Sequence, residues 1–456
     1  MRCGRINSPT DSYLQSVIVY ATDITPRLKY ILDFISNEIT VEQLLITDNK
    51  NEFSNAETAK INYSSTRITD NECWIKPHGL LAENKISEQM IACFEWNDSK
   101  AFFKIDGDFP FDIFAASFYL LSRYEEYLPH EKDMYGRYAH ENSLAFRAIF
   151  LNIPLVNQWL QVFKKILKQQ FPSFALKNTF FKFQQTYDID EAFSYKHKGW
   201  VRNAGGAIKD LSKGNLSKVS LRRRVLSNKI RDTYDSYDWM DELHQQYNLK
   251  PNYFFLVPEK NGKYDKNILP ANTAMQSLIR QHADKYTVGI HPSWQSGDEH
   301  SLLGKEIKIL EGISGKTVTT SRQHFIRFTL PDTFRRLLAA GIKEDYSMGY
   351  GSINGFRASV ASPFFWYDLE KEEQTDLLLH PFCYMEANSF YEQKVSSQEA
   401  LEEMLHYLNE VKKVIPDNVE FVFSAKPFTS EDGKQFFTMY MVNKTPELTG
   451  GVVTDA

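Results

Sequence analysis

The stretch Thr186-Tyr187-Asp188-Ile189-Asp190 ends a β-like run in two aspartates that are separated by one residue. At a strand end, one such carboxylate can accept a proton from water while the other binds a metal ion that keeps that water acidic. Aspartate is also common in ordinary loops and helix caps, so the spacing alone is weak evidence. The organisation of the rest of the chain has to decide between the two interpretations.

From residue 173 onward, β-like runs alternate with helical or connecting segments. Seven strands are predicted, at 179–187, 252–257, 286–290, 316–320, 342–347, 377–384 and 420–423. Helices are predicted between them, at 236–247, 302–310, 331–340 and 398–414. This alternation favours parallel strands with right-handed crossovers. A seven-stranded (β/α) barrel fits the order better than an open sheet does.

The first 172 residues predict a smaller α/β domain of unknown role. An apolar run at 17–20 precedes a helical pattern at 26–35, and a strongly periodic helix begins near Phe111. The charged residues of 122–127 could line a pocket, although a charged run at a helix end is usually a solvated cap. Phe171-Pro172-Ser173 marks a boundary, so we expect domains at 1–172 and 173–456.

Composition excludes several classes of protein. The 456 residues are 42% hydrophobic, but no run approaches the ~20 apolar residues that span a bilayer. The chain does not start like a secretory signal and its four cysteines lack paired spacing, which predicts a reduced, cytoplasmic protein. A net charge of −5 gives no basic field for nucleic acid. The basic run at 218–224 is interpreted as a solvated loop or insert rather than an anion-binding patch.

Polar residues lie at the ends of several predicted strands. His291 follows the third strand and His324 the fourth, and the carboxyl ends of parallel strands meet at one edge. Imidazole is the commonest metal ligand, so two histidines and one aspartate could leave coordination positions open for water and substrate. Arg322 could hold Asp188 by a bidentate ion pair. A buried histidine bonded to backbone, a loop salt bridge and a surface histidine are the structural alternatives.

Taken in order, these motifs resemble the polysaccharide deacetylase family, also called NodB-like carbohydrate esterases. The resemblance is to a branch in which an uncharacterised amino-terminal domain precedes the barrel. It implies that Asp188 is the general base, and that Asp190 and His291 bind the metal. Other segments that resemble signatures of this branch are 111–129, 136–137, 321–325, 341–350 and 355–358.

The chain departs from the family pattern at two positions. Gln295 stands where a second metal-binding histidine is usual, so His324 is the candidate third ligand. Ser424 stands where the last motif usually has a histidine that acts as general acid. His380 is a possible substitute, with core packing as its alternative, and without a replacement activity could fall by ~10²–10⁴-fold.

The resemblance implies a metal-dependent deacetylase, with zinc the expected ion, that acts on an N-acetylated sugar or polysaccharide precursor. The departures at Gln295 and Ser424 leave open a carbohydrate-binding or assembly protein with weakened catalysis. A glycoside hydrolase would need two carboxylates across the sugar ring, and only Asp188 and Asp345 could serve. Asp345 is also the alternative proton acceptor if Asp188 is not the base.

Overall fold

The computed structural model describes residues 16–177, 182–414 and 420–425. Its first sheet is parallel throughout, with the order β2-β1-β3-β4. The strands of this sheet are β1 (Ser16–Ala21), β2 (Gln43–Thr47), β3 (Ala59–Tyr63) and β4 (Cys73–Ile75). An antiparallel ribbon follows, formed by β5 (Phe94–Trp96) and β6 (Ser99–Ala101).

Five helices accompany this first sheet within the described residues: α1 (Pro26–Ile39), α2 (Lys50–Asn55), α3 (Ile113–Leu121), α4 (Leu144–Arg147) and α5 (Leu155–Gln170). Helix α1 begins where the Thr25 side chain accepts a hydrogen bond from the Leu28 amide, with Pro26 in its first turn. The Asp112 carboxylate caps α3 in the same way, and every residue of α3 is buried. The core helix predicted near Phe111 is therefore present.

The second sheet has nine strands within the described residues, where seven were predicted. They are β7 (Lys182–Ile189), β8 (Asn252–Phe255), β9 (Thr287–Ile290), β10 (Thr320–Ser321), β11 (Glu344–Asp345), β12 (Phe364–Asp368), β13 (Glu373–Leu379), β14 (Phe382–Met385) and β15 (Glu420–Ala425). Their order is β12-β13-β11-β10-β9-β8-β7-β15-β14. Neighbouring strands are parallel except for β12 and β13.

This sheet is curled rather than flat. In a flat sheet β13 and β14 would lie about 34 Å apart, because seven interstrand spacings separate them. Only His380 and Pro381 connect the two strands, and such a link spans at most about 11 Å. The strand predicted at 377–384 is thus wrong as a single element, because it breaks at this pair and its two parts join opposite sides of the sheet.

Eight helices accompany the second sheet within the described residues: α6 (Gly199–Ser212), α7 (Leu216–Leu226), α8 (Tyr237–Gln246), α9 (Thr273–Lys285), α10 (Trp294–Asp298), α11 (His300–Ser314), α12 (Asp332–Ala339) and α13 (Ser397–Lys413). The four helices predicted from the sequence correspond to α8, α11, α12 and α13. The basic run at 218–224 lies in α7, so its interpretation as a loop is wrong. None of the described helices is both long and apolar enough to cross a bilayer.

The charged residues after α3 are buried and join the first part of the chain to the second. Glu126 accepts hydrogen bonds from Nε and Nη2 of Arg357, at 2.8 and 2.6 Å, and from Nε of Arg123 at 2.7 Å. Burial raises the pKa of Glu126, but the two arginines outweigh it and lower the pKa to about 2. The expectation of a solvated cap is therefore wrong. The domain boundary expected at residue 172 stays a prediction, and one hydrophobic core includes residues from both sides of it.

Candidate metal centre

Two histidines and an aspartate meet at the carboxyl edge of the second sheet. Asp190 directly follows β7 and His291 directly follows β9, while His324 lies three residues beyond β10. Because β7 to β10 are parallel neighbours, their ends project their polar side chains into one region. One ligand atom from each of the three side chains lies within 4.8 Å of the others. The structure thus brings together the three residues expected to bind metal, whose roles stay predictions.

The hydrogen bonds of both imidazoles direct a lone pair towards Asp190. His291 Nδ1 lies 2.6 Å from the Arg322 carbonyl oxygen, and His324 Nδ1 lies 3.1 Å from Asp265 Oδ1. Both partners are acceptors, so Nδ1 carries the proton in each neutral ring and Nε2 is the atom that can bind metal. The Nε2 atoms of His291 and His324 lie 3.0 and 3.6 Å from Asp190 Oδ1. Three acceptor atoms so close together need a cation or a proton between them.

The electrostatics of the cluster favour a positive charge. Burial lowers the pKa of His291, but the Asp188 charge and the hydrogen bond with Asp190 outweigh it, so the net pKa is raised. A proton and a divalent cation therefore compete for the same position between Asp190 and His291.

Asp265 is a supporting residue that the sequence analysis missed. It lies in the segment that follows β8, it is buried, and its Oδ1 also accepts a hydrogen bond from the Trp294 amide at 2.8 Å. Burial raises the pKa of Asp265, but the hydrogen bonds from His324 and Trp294 lower it by more. Gln295 donates to Asp265 Oδ2 at 3.2 Å, so it supports this carboxylate. The signal that could have identified Asp265 is its position after a neighbouring parallel strand.

Asp188 and Arg322 lie beside the cluster, but they do not form the bidentate pair that was expected. Arg322 Nη1 is 3.7 Å from Asp188 Oδ1, and neither atom has a hydrogen-bond partner within the described part of the chain. The arginine is held instead by its Nε, which donates to the Tyr346 carbonyl oxygen at 2.9 Å, and by the rings of Phe254 and Phe382. Burial lowers the pKa of its guanidinium. Asp188 lines the cleft, and its Oδ1 is buried without a hydrogen-bond partner among the described residues.

Asp345 is buried away from the cleft walls. Its carboxylate accepts hydrogen bonds from the Ser321 hydroxyl at 2.7 Å and from the amide and hydroxyl of Ser347, at 2.8 and 3.1 Å. Burial raises its pKa. These bonds connect β10 to the segment after β11, which is a structural arrangement, and the structure does not bring Asp345 to the cleft.

His380 also lies away from the cleft walls. Its Nε2 is 3.0 Å from Glu344 Oε2, and its ring stacks on that of Tyr346 at 4.2 Å between centroids. The packing alternative considered for this residue therefore fits its surroundings. Ser424 belongs to β15, and its side chain lies outside the described residues.

A cleft of about 220 Å³ opens beside the candidate metal cluster, which is formed by Asp190, His291 and His324. It is lined by Tyr135, Arg137, Asp188, Asp190, His291, His324, Phe325, Ile326, Gly351, Met385, Ala387, Asn388, Tyr391 and Glu392. Sequence reasoning gave no role in the site to Tyr135 or to the segment after β14. Tyr135 lies outside the strands of the second sheet, and the segment after β14 was missed because β13 and β14 were predicted as one strand at 377–384.

The first part of the chain holds the loop that carries His324. Arg137 Nη1 donates to the Phe325 carbonyl oxygen at 2.9 Å, and the rings of Tyr135 and Phe325 lie 5.2 Å apart. Phe325 and Ile326 both have left-handed backbone conformations, with φ of 59° and 54°. Such conformations cost about 1–3 kcal/mol each and persist only where the surroundings hold them. The Arg137 bond therefore helps to fix the backbone next to His324.

Comparison with known proteins gives one family model and several solved structures. A family of unknown function (DUF7033) matches residues 17–172, which include Tyr135 and Arg137. No curated protein sequence matches the chain.

Among solved structures, a provisionally assigned polysaccharide deacetylase from Mycobacterium smegmatis is similar with 12% identity and a TM-score of 0.39, covering 59% of this chain and 85% of its own. A polysaccharide deacetylase from Bacillus cereus has 12% identity and a TM-score of 0.28, and the match covers 58% of this chain and 88% of that protein. A mutant CE4 family pseudoenzyme with restored enzymatic activity has 12% identity and a TM-score of 0.25, and the match covers 59% of this chain and 63% of that protein. At such TM-scores the likeness carries no argument, so function has to be argued from the site.

Proposed function

We propose that this protein is a divalent-metal-dependent hydrolase that removes an acetyl group from an N-acetylated sugar or polysaccharide precursor. The observation that carries the proposal is the set of three ligand atoms, Asp190 Oδ1 and the Nε2 atoms of His291 and His324, beside the carboxylate of Asp188, which lines the same cleft.

The donor set fits a catalytic metal site. Two imidazoles and one carboxylate suit zinc and leave coordination positions open, whereas structural zinc sites use four protein ligands. A divalent ion held by Asp190, His291 and His324 would polarise the acetyl carbonyl group and acidify water. Each imidazole has a hydrogen-bond partner at Nδ1 that fixes its orientation, which is the arrangement typical of metal-binding histidines.

Asp188 is the proposed proton acceptor. This residue is 6% exposed and lines the cleft, two residues before Asp190. In our proposal its carboxylate takes the proton of the attacking water as the carbonyl carbon becomes tetrahedral. The guanidinium group of Arg322, whose Nη1 lies 3.7 Å from Asp188 Oδ1, places a positive charge beside the proposed proton acceptor.

The cleft suits a single sugar residue. Its volume of about 220 Å³ is below the roughly 300–1,000 Å³ of pockets for drug-sized ligands. Tyr135, Phe325 and Tyr391 provide aromatic surface for the apolar face of a sugar ring, while Arg137 provides a donor for its hydroxyl groups. In this proposal the sugar is held between the two parts of the chain.

A second candidate is a glycan-binding protein on the same fold with weak turnover. Among the described residues that line the cleft, the two histidines of the metal cluster are the only imidazoles. Neither can protonate a leaving amine while it binds metal. This observation favours slow hydrolysis or binding alone, and release of acetate distinguishes the two.

The test combines metal analysis with an acetate-release assay on N-acetylated amino-sugar oligomers. We expect about one zinc ion per purified chain, and loss of zinc in Asp190→Ala and in His291→Ala. His300→Ala is the matched control, because His300 is exposed at the start of α11. Full zinc content in both cluster variants would contradict the metal site. Zinc without acetate release would favour the binding protein.

A further inference from the structure

Helices α6 and α7 form a hairpin that exposes a row of large apolar side chains. The exposed fractions in α6 are 81% for Trp200, 63% for Val201, 67% for Ile208 and 51% for Leu211. At 100° per residue these four positions lie within an arc of about 100°, so they share one face of the helix. Leu216 and Leu226 of α7 are exposed as well. Single exposed apolar residues are ordinary, but a contiguous group marks an interaction surface.

The exposed face includes a groove of about 820 Å³ between the two helices. Trp200, Ala204 and Ala207 of α6 line it on one side, and Val219 and Leu226 of α7 on the other. The ion pair between Arg222 and Asp210, at 2.8 Å, joins the helices beneath it. The groove is therefore a formed feature of the hairpin.

The same hairpin concentrates positive charge. Residues 196–229 contain ten lysines and arginines and one acidic residue, Asp210, which gives this segment a net charge of +9 in a chain whose total is −5. Lys209, Lys213, Arg223 and Arg224 are exposed. The rest of the chain therefore carries a strongly negative net charge, whereas the hairpin carries a positive one.

We propose that the α6–α7 hairpin docks this protein on the surface of an anionic lipid bilayer. Apolar side chains that include a tryptophan, surrounded by lysines and arginines, match the acyl boundary and the anionic headgroups together. A nucleic acid would neutralise the basic residues but leave Trp200, Ile208 and Leu211 in water. An acidic protein surface would satisfy the charge while burying little of the apolar face.

The hairpin is attached at the edge of the sheet that carries the metal cluster. It is the next helical element after β7, and Lys198, which precedes α6, pairs with Glu191 at 2.8 Å. Arg202 Nη2 donates to the Lys266 carbonyl oxygen at 2.6 Å, in the segment after β8. Docking would therefore hold the cleft edge of the sheet towards the membrane.

The proposal is tested by cosedimentation of the full chain with vesicles of phosphatidylcholine alone or mixed with phosphatidylglycerol. We expect binding to the mixed vesicles only, weakened by salt. Each basic residue at an anionic surface contributes roughly a fivefold factor in affinity. Lys209→Glu/Lys213→Glu/Arg223→Glu/Arg224→Glu should therefore weaken binding by at least about a hundredfold.

Two further variants test whether vesicle binding depends on the hairpin or on basic residues elsewhere on the surface. Trp200→Ser/Ile208→Ser/Leu211→Ser should also lose binding, and its exposed sites allow the fold to survive, which circular dichroism checks. Lys305→Glu/Lys308→Glu changes two exposed lysines of α11 and should bind as the unchanged protein does.

Three outcomes would overturn the proposal. The first is no binding to phosphatidylglycerol vesicles. The second is binding that both hairpin variants retain. The third is binding of an oligonucleotide or of polyglutamate, but not of the vesicles, through the same basic residues. The result does not depend on the proposed deacetylase activity, because no substrate is present.

Discussion

Asp265 offers a sharp test of the metal centre, because it touches His324 without being a proposed ligand. Its Oδ1 lies 3.1 Å from His324 Nδ1 and accepts from the Trp294 amide at 2.8 Å. Asp265→Asn preserves the shape of the side chain and an oxygen that can accept both bonds, but removes the negative charge. Asp265→Ala removes the charge and the acceptor together.

The expected losses follow from what each substitution removes. Changing the partner of a metal-binding histidine typically costs 10–100-fold in metal affinity, or about 1.4–2.7 kcal/mol. For Asp265→Asn the loss of zinc affinity should be near tenfold, because His324 keeps its tautomer and loses only the nearby negative charge. For Asp265→Ala the loss should be near a hundredfold, because the His324 ring can then rotate and the partly buried Trp294 amide loses its partner.

The assay is a competition titration for zinc against a chromophoric chelator, with the fold of each variant checked by circular dichroism. Asp298→Asn is the control, since Asp298 pairs with Arg327 at 2.5 Å and contacts neither histidine of the cluster. Equal zinc affinity in the unchanged protein and in Asp265→Ala would refute the inferred role of Asp265. A loss in Asp298→Asn as large as that in Asp265→Asn would also refute it.

Three further expectations can be measured separately. Asp188→Asn should reduce acetate release by about 10²–10⁴-fold while zinc content stays unchanged, and full activity would move the proton acceptor elsewhere. Tyr135→Ala should raise KM for an acetylated sugar more than it changes kcat, and an unchanged KM would argue against a sugar site there. Glu126→Ala should lower the free energy of unfolding in urea by about 3–5 kcal/mol, because it leaves Arg357 buried without its carboxylate partner and leaves Arg123 with Glu125 alone. The pKa of Glu126 is lowered from 4.5 to about 2, so its stabilisation is complete above pH 4.5 and is lost as the pH falls towards 2. Glu126→Gln should flatten that part of the pH–stability curve, and an unchanged curve would contradict the assignment.

The proximity of the three cluster residues could be predicted from the sequence, because it follows from one rule about parallel strands. Asp190, His291 and His324 each come at or just after the end of a β-like run, and such ends share an edge. The rule needs only the order of elements. It tolerates errors in strand length, and indeed β10 and β11 are only two residues long in the described structure.

The remaining features depend on contacts that a local pattern does not contain. The charged run that contains Glu126 was predicted to be a solvated cap, because its partner Arg357 lies 231 residues away along the chain. Asp265 comes ten residues after β8 ends at Phe255, so its position is a weaker signal than that of His291, which follows β9 directly. The break at His380 and Pro381 lies inside a run of apolar residues, and the signal that marks it is Pro381, which has no amide hydrogen to donate.

The hydrogen bond from Arg137 to the Phe325 carbonyl oxygen limits how this protein can be recombined. The arginine approaches so closely that a Cβ atom on Gly351 would collide with its guanidinium group and lie 3.0 Å from that same carbonyl oxygen. A chimera that takes its first 172 residues from another chain retains Gly351 and therefore needs an arginine at the position of Arg137. Without that arginine, the loop that presents His324 would lose the hydrogen bond at Phe325, although neither Arg137 nor Gly351 is a proposed ligand.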